Sequence, residues 1–249
     1  MKTTIEEVIV RLGQIVDETV RENSFLAVFA VVYHNTTINV RDAIVAGYFH
    51  DAPRMEQLDV HFAHRYIAAY DAFREGRKTT AAWQKAFETS AQPLMLLQHL
   101  MLGMNAHINL DLGIAAAEVM PAGRVSEVEH DFFAVNALLT QQIEAMQVSL
   151  GKVSPLLVLL DILGQRSDEK FATFSIKKAR AFAWVNAQNL THIAEVDRPA
   201  AYQLLDAQVA LLADLLLKPG KILSWVCRLI ALFETRNMAK VVARLREAP

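Results

Sequence analysis

The chain has 249 residues, 53% of them apolar and 21% charged, with a formal charge of −2. That length suffices for one large, well-buried domain, and the near-neutral balance supplies no basic field for nucleic acid or acidic lipid. A single cysteine, Cys227, excludes an intramolecular disulfide and a multi-cysteine metal knuckle.

Helix start and stop signals divide the chain into about ten helices, and alternating strand patterns are scarce. The expected fold is therefore all-α, a single bundle over residues 1–249. Thr3 with Glu6 has the capping-box spacing for a helix running to about residue 21. Two further helices are expected near 24–34 and 36–49. Pro53 suits the first turn of a long helix, and Gly76 suits its left-handed end. Thr79 or Thr80 caps a short helix bearing Trp83 and Phe87. A central helix over 91–120 closes at Pro121-Ala122-Gly123. Ser126 with Glu129 opens a helix to about 150, Ser154-Pro155 a short apolar one ending at Gly164, and Ser167 one to about 193. Pro199 starts another that stops at Pro219-Gly220, leaving one bent helix or two short ones to about 245. No uninterrupted apolar run reaches the ~18 residues that cross a bilayer. With no amino-terminal signal visible, no membrane span and a cytoplasmic location are expected.

The central helix carries the chemistry. At ~100° per residue, Leu97, Met101, Met104, Ile108 and Leu112 form one apolar stripe, but Leu96, Leu100, Leu102 and Leu110 point elsewhere. A helix apolar all round belongs in the middle of a domain. Its polar residues fall into two stripes. His99, Gly103, His107 and Asp111 follow one another at i, i+4, and Gln98, Asn105 and Asn109 lie well away from them. Each such group needs a partner, because a missing buried hydrogen bond costs on the order of 1–3 kcal/mol. Gly103 leaves a gap between the two histidines that a helix backbone, a water or a ligand could enter.

Other segments offer partners. His61 and His64 stand at i, i+3, His130 and Asp131 open a later helix, and His50-Asp51 ends an earlier one. Asp161, Glu169 and Arg180 are the expected buried charges. Arg180 stands one turn before Trp184, at a spacing that suits a cation–π pair, and is a candidate to neutralise Asp111.

The stretch Leu97-Gln-His-Leu-Met-Leu-Gly-Met-Asn-Ala-His-Ile-Asn-Leu-Asp-Leu112 resembles a bacterial family catalogued as domain of unknown function 5995. The resemblance extends to Asp59-x-x-Phe62-x-x-x-Tyr66, Trp83-x-x-Ala86-Phe87, Asp131-Phe132-x-x-x-Asn136 and Ala179-Arg180-x-x-Ala183-Trp184. It covers about residues 30–190, with the carboxy-terminal helices of 197–247 expected to pack on that core. It implies an all-α fold and carries no catalytic roles. His107-x-x-x-Asp111 is also similar in spacing to a motif of zinc-dependent phospholipase C-like helical enzymes, but the amino-terminal tryptophan ligand of those enzymes is missing here.

Two functions from different classes follow. In the first, the protein is a metal-dependent enzyme, a hydrolase before an oxygenase, holding Zn or Fe. His107 and Asp111 would be ligands, joined by His99 and by His61, His64 or His130. Asn105, Asn109, Gln98 and Arg180 would contact a substrate or steady the ligands. The usual di-iron pattern needs two Glu-x-x-His motifs, and the chain has one, Glu127 to His130. In the second, the polar groups form a structural core, and the bundle is a non-enzymatic protein that binds a small apolar molecule.

Overall fold

The computed structural model describes residues 3–120, 125–157, 159 and 176–247. Among them are eleven α-helices and no strand. In chain order these are α1 (Ile5–Arg21), α2 (Leu26–Val45), α3 (Ala52–Arg74), α4 (Ala81–Glu88), α5 (Leu96–Met104), α6 (Leu112–Val119), α7 (Glu129–Val153), α8 (Ile176–Thr191), α9 (Arg198–Leu217), α10 (Lys221–Phe233) and α11 (Met238–Arg246). A π-helical turn, Asn105–Asp111, joins α5 to α6 without a break. The fold is the all-α bundle that the helix signals predict.

The capping box of α1 lies one residue later than the spacing of Thr3 and Glu6 suggests. Thr4 accepts from Glu7 N, and Glu7 reaches back to Thr4 N. From that start, Ile5, Val8, Leu12 and Ile15 all face the core. The expected break near residue 35 is absent. Thr36 and Thr37 donate to the carbonyls of Val32 and Tyr33, so both hydroxyls are satisfied inside one continuous helix. Helix α3 begins with Asp51 accepting from Arg54 N and ends at Gly76, whose φ is +70°. The cap of α4 comes from elsewhere: Asp206 on α9 accepts from Ala81 N and Ala82 N. The segments predicted from Ser167 to 175, and most of the one opened by Ser154-Pro155, lie outside the described residues, as do Asp161 and Glu169.

The α5–π–α6 rod is the axis of the bundle. Nearly all of it is buried, from Leu96 to Ala117. Helices α2, α3, α4, α8 and α9 pack around it. The approach of α8 is closest at Gly113, where an added Cβ would lie 2.9 Å from the Ala183 carbonyl oxygen. Glu195–Leu217, which spans α9, is long and apolar enough by length and composition to cross a bilayer, although polar Gln203, Asp206, Gln208 and Asp214 interrupt it. Only 28% of its most apolar window is buried.

Candidate functional site

The second polar stripe of the axis is consumed by α9. Gln98 Nε2 donates to the Leu216 carbonyl at 3.0 Å, and Asn105 Nδ2 to the Val209 carbonyl at 3.0 Å. Asn109 Nδ2 then donates to Asn105 Oδ1 at 2.9 Å. The three amides expected to meet a ligand therefore splice the axis to its neighbour.

The histidine stripe divides. His99 stacks on Phe25 with ring centroids 4.5 Å apart, and burial pushes its pKa down to about 4 against a smaller opposing effect of a Gln92 backbone bond. The gap at Gly103 is filled by the Phe29 ring, since a Cβ there would lie 2.5 Å from Phe29 Cγ. His107 is packed in an aromatic box. Phe62 stacks on it at 3.6 Å and 7°, and Tyr33, Phe29 and Tyr66 meet it edge-on.

Asp111 is fully engaged. It accepts from Trp83 Nε1 at 2.7 Å, pairs with Arg65 Nε at 3.3 Å, and lies 3.3 Å from His107 Nδ1. Its counter-ion is thus Arg65 of α3, not Arg180. A carboxylate at that distance places the His107 proton on Nδ1 and leaves Nε2 as a bare acceptor. Burial lowers the pKa of His107, outweighing the bond to Asp111, so the ring is neutral.

The other metal candidates do not join this pair. His61 is half exposed beside Glu118, 3.5 Å away, and His64 is exposed on the open groove along α3. His130 stacks on His50 at the start of α7. Among the described residues the one three-membered cluster of metal-ligating groups is His50, His130 and Asp131, and it contains neither His107 nor Asp111. The predicted set of His107, Asp111, His99, His61, His64 and His130 is therefore spread over several separate places.

What His107 does join is a cavity of about 90 Å³ between α2, α3, the π turn, α7 and α8. Its walls are mostly apolar, including Val40, Met55, Leu58, Met104 and Leu139. Among the described residues, four buried polar atoms without a hydrogen bond of good geometry belong to residues that line it: Tyr33 Oη, whose nearest polar neighbour is Thr37, Asp59 Oδ2, His107 Nε2 and Arg180 Nε. Burial, then the charge of Glu56, pushes the pKa of Asp59 up to about 7. Burial, then the charge of Asp59, raises that of Tyr33 well above the usual phenol value. Burial pulls Arg180 down to about 10, and no carboxylate among the described residues opposes it. The guanidinium donates to the Phe132 carbonyl and lies over the Phe132 ring, 4.6 Å from its centroid. That ring takes the place of the expected Trp184, which packs against Phe132 instead.

Sequence reasoning missed Tyr33, Arg65 and the importance of Asp59. Only Asp59 left a readable signal. It shares the buried face of α3 with Met55, Phe62 and Tyr66, so an acid sits among core side chains.

The fold and site define an all-α bundle whose axial helix lends one polar side to its own packing and places His107, on the other, in the lining of a mostly apolar pocket. The chain belongs to the family of unknown function DUF5995, whose sequence profile matches residues 5–219. That match runs beyond both ends of the 30–190 core suggested by the motifs. No curated protein and no solved structure matches it.

Proposed function

We propose that the protein binds a small molecule with a short apolar body and an anionic or carbonyl head, in the cavity bounded by Tyr33, Asp59, His107 and Arg180. The observation that carries this reading is that four residues lining one mostly apolar space each hold a buried polar atom without a partner. Buried polar atoms are almost always satisfied, and each exception costs on the order of 1–3 kcal/mol. Four around one cavity are accounted for by a guest that supplies their bonds. Arg180 Nε–H and Tyr33 O–H are donors for an oxygen head, and His107 Nε2 is an acceptor for a hydroxyl or acid proton. Apolar cavities of ~150 Å³ hold benzene, so 90 Å³ suits a smaller body, the size of a short carboxylic acid or its hydroxy or keto analogue.

One observation favours a catalytic extension of this reading. A carboxyl with a pKa near neutrality and a carboxylate-oriented imidazole, both lining one pocket, are the two group types an acid–base mechanism uses. Such chemistry on the bound molecule needs no metal. The metal-centred alternative at His107 and Asp111 has less support, because Asp111 is already shared by Arg65, Trp83 and His107.

The test is a thermal-shift and calorimetric screen of C2–C6 carboxylic, hydroxy and keto acids against tag-free protein. At least one is expected to bind with 1:1 stoichiometry, and Arg180→Met should abolish that binding while raising the melting temperature of the empty protein. If Arg180→Met lowers the melting temperature, or binding survives it, the cavity reading falls.

A further inference from the structure

A second cluster lies apart from the cavity, where the turn before α3 meets the first turn of α7. We propose that His50, His130 and Asp131 form a binding site for a zinc-type divalent transition-metal ion. Each offers one ligand atom, and these atoms all lie within 4.8 Å of one another. Two imidazoles and a carboxylate are the ligand types zinc takes in sites that keep a position open for water.

The geometry is close to closure. Two ligands bound at tetrahedral angles to one zinc lie about 3.4 Å apart, given metal–ligand bonds near 2.0–2.1 Å. His130 Nδ1 is already 3.2 Å from Asp131 Oδ1. The widest separation has to shrink by only about 1.4 Å, a small swing for an exposed imidazole. Both histidines are exposed and Asp131 is buried, so the carboxylate is the fixed ligand and the rings are adjustable.

The frame is held independently of the rings. Asp131 Oδ1 accepts from His50 N at 3.0 Å and Oδ2 from Asp51 N at 2.7 Å, which ties the start of α3 to α7. These bonds fix the carboxylate and leave lone pairs on both oxygens, since a carboxylate offers about four such positions. Asp51 is not a rival ligand, because its carboxylate pairs with Arg54 at 3.1 Å. The backbone bonds do not involve the imidazoles, although His130 Nδ1 also bonds the carboxylate at Oδ1. The two rings lie face to face, with centroids 4.1 Å apart and planes within 3° of parallel. Two exposed rings held side by side over a buried carboxylate give an N,N,O face open to solvent.

The experiment is titration of tag-free, chelator-treated protein with Zn²⁺ by calorimetry, and with Co²⁺ by visible absorption. One Zn²⁺ per chain and a Co²⁺ d–d band are expected, with Mg²⁺ giving neither. His50→Ala and His130→Ala should each weaken Zn²⁺ binding at least tenfold, and both substitutions are at exposed positions that leave the Asp131 splice intact. In imidazole NMR, Zn²⁺ should shift the His50 and His130 resonances and leave those of His107 in place. The proposal is overturned if the double variant binds Zn²⁺ as the parent does. It is equally overturned if His61→Ala with His64→Ala, rather than the pair at 50 and 130, removes the binding.

Discussion

The two polar sides of the axial helix differ in what meets them. On the α9 side, Gln98 bonds the Leu216 carbonyl, and Asn109 bonds Asn105, which bonds the Val209 carbonyl. On the side facing α2, α3 and α8, His107 Nε2 has no hydrogen-bond partner among the described residues, and His107 lines one pocket with Tyr33, Asp59 and Arg180, which also carry unpartnered buried atoms. The first side is complete within the folded chain and specifies how α9 docks. The second is incomplete and holds an ionisable pair, His107 and Asp111, that Arg65 and Trp83 orient from behind. Buried polarity therefore does two jobs on one helix, and only the unfinished half is a candidate for function.

The largest way to break this comparison is Asn105→Ala. It strands the Val209 carbonyl and the Asn109 amide in the core and leaves a small cavity, a loss of about 4 kcal/mol. Urea unfolding measures that loss, while the affinity of the cavity ligand should stay within twofold. A variant of unchanged stability would erase the distinction between the two sides.

Next comes Asp59→Asn, with the opposite sign. The folded protein holds this proton up to about pH 7, whereas the unfolded chain releases it near 3.8. Between those values the native state binds more protons, so Asp59 makes the parent less stable as pH rises. Asparagine removes that dependence. The variant's advantage in denaturant melts should grow from pH 4 to pH 8 by on the order of 3 kcal/mol, while ligand binding is lost. His99 works in the other direction. Its pKa of about 4 lies below the ordinary 6.5, so it contributes stability at neutral pH that is lost as pH falls through that interval. In the parent the two slopes oppose each other, and Asp59→Asn should uncover the His99 slope.

These outcomes bear on what the sequence could reveal. Helix positions were legible because capping and termination are local: Pro53 lies in the first turn of α3 and Gly76 just past its end, as their types suggest. The axial helix was legible because its apolar residues go all the way round. The cavity was not, since it depends on which stripe faces which neighbour. Asn105 and His107 are two residues apart with similar neighbours in sequence, yet one bonds the Val209 carbonyl and the other sits among aromatic rings with Nε2 unpartnered among the described residues. Arg65 was invisible as the partner of Asp111 because forty-six residues separate them and α3 carries several charges. The zinc-type cluster was half visible. His130 and Asp131 were singled out, but their juxtaposition with His50 is set by the packing of α7 on the start of α3.

The smallest predicted effect falls on the seam between the two sides. Gly103 lies between His99 and His107 on their stripe, and Phe29 occupies the space that its missing side chain leaves. The same ring lines the cavity and meets His107 edge-on at 5.6 Å. In Gly103→Ala the methyl would push that ring, because a Cβ at 2.5 Å from its Cγ cannot be tolerated. Overpacking of this kind costs about 1–2 kcal/mol after the small helical gain of alanine over glycine. The ring cannot retreat far, being packed against Tyr66 and Trp83, so part of its movement goes into the cavity. A lower melting temperature should therefore come with several-fold weaker ligand binding. Pairing it with Phe29→Ala separates the two effects, since alanine removes Cγ and Cδ2, two of the three atoms the methyl would meet. Gly103→Ala should cost less stability in the Phe29→Ala background than in the parent, and an equal cost would mean that Phe29 does not couple the packed side to the open one.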